Sequence, residues 1–89
     1  MLHVYISGFV QGIGYRQFVK NKALELNLKG WVKNLPDTRV EAVFVGEEKN
    51  LEKMIEYLKK GPFLSVVKDI KLDWNSKERV DTMDFEIIK

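Results

Sequence analysis

Cysteine is absent from the chain. That excludes disulfides, thiolate metal sites and thiol nucleophiles. Histidine occurs once, as His3, and one histidine among scattered carboxylates offers no ligand cluster, so no metal is expected. On the polar side of an alternating stretch, His3 is expected as a surface residue and not as a general base. No uninterrupted apolar run approaches the ~20 residues that a membrane span requires. The opening residues also lack a basic segment followed by a long apolar run, so no signal peptide is expected and the cytoplasm is the expected setting. Excess charge is scarce: a net +2 is too small to argue for nucleic acid by itself. Repeats, low-complexity segments and linkers are missing too. The 89 residues are expected to form one domain over 1–89, because a second core has no room. A chain this small buries only about 60% of its unfolded surface, so it needs an economical two-layer fold.

What is present fits a compact soluble protein, with 45% apolar and 31% charged residues. Residues 2–8 alternate, with Leu2, Val4 and Ile6 on one side and His3, Tyr5 and Ser7 on the other, which predicts a half-buried strand. From Tyr15 the positions Phe18, Val19, Ala23 and Leu26 form a helical stripe, ending before Gly30 with Asn27 or Lys29 near the last turn. Residues 30–34 and 39–45 predict two strands around Leu35-Pro36-Asp37-Thr38, a hairpin signal in which Pro36 presets the turn and Asp37 can bond its own backbone. Leu51, Met54, Ile55 and Leu58 give a second helix, closed by Gly61-Pro62. Residues 66–74 predict a strand with Val66, Ile70, Leu72 and Trp74 inward. Asn75–Asp81 reads as polar loop, and Met83, Phe85 and Ile87 as a short final strand. Lys and Glu alternate in both helices, as on solvated faces with i,i+4 pairs. The order βαββαβ plus a terminal strand predicts an α+β fold, a ferredoxin-like sandwich with two helices on one face of an antiparallel sheet.

The chain is organised around Gly8-Phe9-Val10-Gln11-Gly12-Ile13-Gly14-Tyr15-Arg16, between the first strand and the first helix. Glycine permits positive φ and close approach of a ligand, and successive N–H groups in such a turn can converge on an anion. The helix start adds unpaired N–H groups and the positive end of its dipole. Arg16, about one turn in, can fold back and offer a planar fork. The stretch reads as a phosphate pocket in which Gln11, Gly12, Ile13, Gly14 and Tyr15 contribute backbone N–H groups and their side chains matter less. It is not a dinucleotide fingerprint, because Gln17 stands where the third glycine belongs, and no Gly-Lys-[Ser/Thr] loop is present.

The pattern Gly-x-x-Gln-Gly-x-Gly-aromatic-Arg after a short strand resembles the acylphosphatase family. A second element, Gly30-Trp31-Val32-Lys33-Asn34 followed by Val40 and Gly46 at the family's spacing, extends the resemblance over essentially the whole chain. The resemblance implies the strand order 4-1-3-2 and cofactor-independent hydrolysis of acyl phosphates to carboxylate and inorganic phosphate. It also implies phosphate binding by Arg16 and the loop, with Asn34 orienting the attacking water. A monomer without nucleic-acid or membrane partners is expected. Thr38 departs from the pattern by standing where glycine is usual, so a positive φ there would strain a β-branched residue.

Read locally, the same residues keep other roles open. Arg16 can be a surface ion-pair partner, Asn34 and Asp37 can serve only the turn, and Trp31 and Trp74 read as apolar bodies within strands more readily than as base-stacking platforms. Gly8, Gly30 and Gly46 read as structural. A non-catalytic anion- or RNA-binding module of the same plan is the alternative. Lys29-Gly30-Trp31-Val32 has the look of an RNA-recognition signature, but it falls on the second strand instead of the third, and Lys33-Asn34 breaks the match.

Overall fold

The computed structural model describes residues 1–76, 80 and 83–88. Strand β1 (Leu2–Phe9) is followed by helix α1 (Tyr15–Glu25), strands β2 (Lys29–Asn34) and β3 (Val40–Val45), helix α2 (Glu48–Lys60), and strands β4 (Val66–Asp73) and β5 (Phe85–Ile88). The sheet order is β4-β1-β3-β2-β5. β1 lies antiparallel to β3 and β4, and β2 antiparallel to β3. The order 4-1-3-2 is therefore present. β5 adds to β2 in parallel, which makes the five-stranded sheet mixed, where the antiparallel expectation described only its first four strands.

Local chemistry accounts for the elements. Leu2, Val4 and Ile6 are completely buried, as alternation along one strand face requires. Tyr15, Val19 and Ala23 are the buried stripe of α1. That helix stops at Asn27, whose φ of 55° suits the left-handed cap position. The Asn27 N–H donates to the Leu24 carbonyl and the Leu28 N–H to the Ala23 carbonyl, which satisfies two carbonyls of the last turn. In α2 the buried positions are Leu51, Met54, Ile55 and Leu58, with Glu48 in the first turn and Lys59 and Lys60 in the last, matched to the helix dipole. Both helices join the sheet in a single core. Gly30 of β2 stands between Phe44 and Phe85 in the pairing register. Having no side chain, it lets those two rings stack across it at 5.3 Å.

Three sequence expectations need correction. Val66 and Leu72 of β4 and Trp74 just after it are exposed, while Val67 and Ile70 pack against the core. A bulge between Ser7 and Gly8 pairs Ser7 with Asp69 and Gly8 with Val67, so Lys68 is skipped and Val67 takes the inward side in place of Val66; Leu72, outside the bulge and paired with Val4, is exposed on this edge strand. Trp74 follows the end of β4, and Met83 precedes β5 and is 87% exposed. His3 is not a free surface residue either, because its Nε2 lies 2.6 Å from Glu41 Oε2 on the helix-free face of the sheet. Of the loop expected at Asn75–Asp81, residues 77–79 and 81 lie outside the described residues.

Candidate active site

β1 and β2 both run antiparallel to β3, so they run parallel to each other and finish at the same rim of the sheet. The glycine turn follows β1 there, and Asn34 closes β2 there. Between them is a cavity of about 260 Å³ lined by Val10, Gly12, Gly14, Tyr15, Arg16, Gln17, Asn34 and Ile87. Larger hollows occur, such as one of about 550 Å³ along α2 lined by Lys53, Glu56, Tyr57, Lys59 and Lys60. That surface hollow carries no glycine turn and no helix start.

Gly12 and Gly14 have φ of 76° and 81°, the left-handed region that glycine enters without penalty. A Cβ built at either position would meet nothing within 4 Å. Backbone conformation, not crowding, is therefore what calls for glycine. Gly14 caps α1 in that conformation with no side-chain hydrogen bond to the first turn, and the turn carries no acidic residue. The start of α1 thus presents its N–H groups and positive dipole end to the cavity without a built-in carboxylate to neutralise them. Arg16 is half-buried at the wall. Among the described residues no carboxylate pairs with it. A cation left unpaired beside uncapped N–H groups favours an anion of its own choosing.

Asn34 faces the same cavity. Its Oδ1 is buried, and among the described residues no group donates to it. Buried acceptors normally find a donor, and because Asn34 lines the cavity a group held there can supply one. The amide nitrogen beside it makes Asn34 able to give and to receive a hydrogen bond at once.

The structure therefore brings together Gly12, Gly14, Tyr15, Arg16 and Asn34, and leaves Gln11 and Ile13 off the wall. Tyr15 takes part only through its main chain. Its side chain is buried against Phe18, its hydroxyl donates to the Leu58 carbonyl at 2.8 Å, and burial pushes the phenol well above its ordinary pKa. The expectation that loop side chains matter little fails for Gln11, whose Nε2 donates to the carbonyls of Leu35 and Arg39. Val10, Gln17 and Ile87 line the cavity without having been singled out. Ile87 was traceable only once β5 could be placed beside β2. In the turn itself, Thr38 does have positive φ, 79°, and Asp37 bonds the backbone N–H and the guanidinium of Arg39.

Comparison with known proteins agrees with this geometry. A family model described as acylphosphatase matches residues 2–87. The acylphosphatase of Methanocella arvoryzae is 44% identical over 84 residues, covering 94% of this chain and 93% of its own length. That of Archaeoglobus fulgidus is 48% identical over 71 residues, with 80% of each chain covered. The crystal structure of acylphosphatase from Bacillus subtilis superposes with a TM-score of 0.89 at 38% identity, over 100% of both chains. With the family's two motifs meeting at one rim and its sequence matched almost end to end, the chain belongs to the acylphosphatase family, hydrolases that act on acyl phosphates.

Proposed function

We propose that this cavity hydrolyses acyl phosphates without a metal or organic cofactor, with Arg16 and the main chain of the turn binding the phosphoryl group and Asn34 directing the attacking water. An acyl phosphate is a mixed anhydride and already activated, so the protein has mainly to position it and stabilise charge. The N–H groups of Gly12, Gly14, Tyr15 and Arg16, the turn residues that line the cavity, cradle the phosphoryl oxygens. Arg16 balances their charge in the ground and transition states. Water held by Asn34 attacks phosphorus in line with the departing carboxylate, the phosphorus–oxygen bond to the acyl group breaks, and inorganic phosphate forms. Asn34 is too weak a base to take the proton; a phosphoryl oxygen receives it, leaving the protein unchanged.

The observation that carries this reading is the buried Oδ1 of Asn34, without a donor among the described residues, in the cavity that Arg16 also lines. A binding module would need the cradle and the cation but no orphaned acceptor beside them. The RNA-binding alternative suits the helix-free sheet face less well, because Glu41 sits there beside His3 and Lys33, and a carboxylate repels a phosphodiester backbone. In this reading the protein works as a cytoplasmic monomer, with residues 1–89 forming a single acylphosphatase domain.

The test is hydrolysis of benzoyl phosphate in the presence of a chelator. Turnover should persist. Arg16→Ala should abolish both turnover and competitive inhibition by phosphate. Asn34→Ala should lower kcat by about 10²–10³ while phosphate still binds. Loss of turnover with the chelator, or near-normal kcat in Asn34→Ala, would overturn the assignment. A salt-dependent shift with single-stranded RNA and no phosphate release would favour the binding module instead.

A further inference from the structure

Gln11 belongs to the glycine turn but does not line the cavity. Its Nε2 lies 2.9 Å from the Leu35 carbonyl oxygen and 2.9 Å from that of Arg39. Carbonyl oxygens only accept, so the nitrogen end of the amide must face them, with both of its protons engaged. The Arg39 carbonyl also receives the Leu35 N–H at 2.8 Å. Gln11 thus completes the residue pair that closes the β2–β3 hairpin. Leu35 directly follows Asn34, and Arg39 directly precedes Val40, the register partner of Asn34. The side chain therefore grips both strands one residue beyond Asn34. Among the described residues no other side-chain hydrogen bond joins the glycine turn to this hairpin.

We infer that Gln11 is a positioning residue that fixes Asn34 against the phosphate cradle, so that the water-directing carbonyl and the main-chain anion site keep one separation. The inference rests on the hydrolytic reading of the cavity. The cradle stands on β1 and α1, whereas Asn34 stands on a hairpin with a strained turn at Thr38. The β1–β3–β2 ladder ties the two pieces together only as far as the row Ile6–Val40–Asn34, and one residue beyond it the Gln11 fork continues the tie. A misplacement of about 1 Å between such groups costs on the order of 10²-fold in rate, and it falls on the chemical step, because the cradle itself is untouched.

Gln11→Met, similar in length but without a donor, and Gln11→Glu separate this role from a general structural one. In Gln11→Met, kcat for benzoyl phosphate should fall about 10- to 100-fold while the inhibition constant of inorganic phosphate stays within about threefold. In Gln11→Glu the ionised carboxylate faces two carbonyl oxygens, so the same loss is expected at neutral pH. As pH falls the carboxyl gains a proton, donates one hydrogen bond, and kcat recovers severalfold relative to wild type. The side-chain amide resonances of Asn34 in ¹⁵N spectra should shift or broaden in Gln11→Met, a readout that needs no turnover. Unchanged kcat in folded Gln11→Met, equal losses in kcat and phosphate affinity, or unmoved Asn34 resonances would each overturn the inference. If wild-type protein binds phosphate but leaves benzoyl phosphate intact, the hydrolytic reading fails separately. The Asn34 resonances then decide the positioning role alone.

Discussion

Replacing Thr38 by glycine should stabilise the protein. With φ at 79°, the Cβ of Thr38 is forced towards its own following carbonyl, and branching at that carbon worsens the contact. The left-handed region costs an L-residue about 1–2 kcal/mol. Thr38 is exposed, so shortening it forfeits no packing. Its N–H donates to the Leu35 carbonyl at 3.2 Å, a bond that glycine keeps. Opposing this, glycine gives the unfolded chain more freedom, worth about 0.5–1 kcal/mol. The difference is a gain centred on about 0.75 kcal/mol. For a domain of this size it corresponds to roughly 3–6 °C in Tm, at about 4–8 °C per kcal/mol.

The assay is urea unfolding with the m-value checked for constancy, paired with a thermal scan. Thr38→Ala is the informative control, because it removes the branch and keeps the Cβ, and should gain less than Thr38→Gly. The Gln11 bonds to Leu35 and Arg39 do not involve the Thr38 side chain, so kcat should change less than about twofold. A lower urea midpoint for Thr38→Gly, or a larger gain for alanine than for glycine, would refute the argument from backbone strain.

Other substitutions probe the frame beneath the site. Tyr15→Phe strands the buried Leu58 carbonyl and should cost about 1–2 kcal/mol in urea unfolding. Burial raises the Tyr15 phenol above its ordinary pKa, so its contribution is complete below the unfolded value of about 10 and is lost as pH rises through the folded value; the phenylalanine variant should show a shallower alkaline decline. Gly30→Ala would put a Cβ 1.8 Å from the Val43 carbonyl oxygen; since the clash is with the backbone of β3 and the φ of 137° already disfavours a side chain, a loss above about 3 kcal/mol or a failure to fold is expected, read as soluble yield and urea midpoint. The Asp37 carboxyl is held below its ordinary range by the Arg39 backbone N–H first, against a smaller desolvation effect, with the Arg39 side chain adding to the lowering. Its contribution is present above the unfolded value of about 4 and disappears as pH falls through the lower folded value. Asp37→Asn, which keeps an acceptor and cannot titrate, should flatten that part of the acid unfolding curve.

Features set by neighbours in sequence were legible without coordinates. The stripe Leu51-Met54-Ile55-Leu58 and the alternation Leu2-Val4-Ile6 each encode burial at their own period, and all seven side chains are buried. The strand β4 was not legible in the same way. Its register reverses at a bulge that resides in the pairing with Ser7 and Gly8, far away along the chain, so strict alternation named Val66 where Val67 turns inward. The site divides along the same line. Gly12, Gly14 and Arg16 could be read because turn, helix start and cation are contiguous. Asn34 needed the second motif and the parallel course of β1 and β2. Gln11 was misjudged because its partners, Leu35 and Arg39, lie 24 and 28 residues away and are carbonyls, which every residue type carries. Ile87 was read into the final strand but not into the cavity, because a four-residue strand has no local signal for which neighbour it joins.

The buried oxygen of Asn34 joins fold and chemistry in one physical requirement. An acceptor shut away from every donor costs about 1–3 kcal/mol, a large fraction of the stability of a small domain. Asn34 escapes that cost only if something mobile can enter and donate to it, and a cavity of about 260 Å³ has room for both water and a phosphoryl group. In the proposed hydrolysis, the opening that makes the asparagine tolerable also admits the nucleophile. On the opposite wall the same logic holds with the charge reversed. The uncapped start of α1 and the unpaired Arg16 are satisfied when an anion arrives. Each half of the site is incomplete in a way that one component of the proposed reaction would complete, since hydrolysis brings an anion and a water to adjoining places at once.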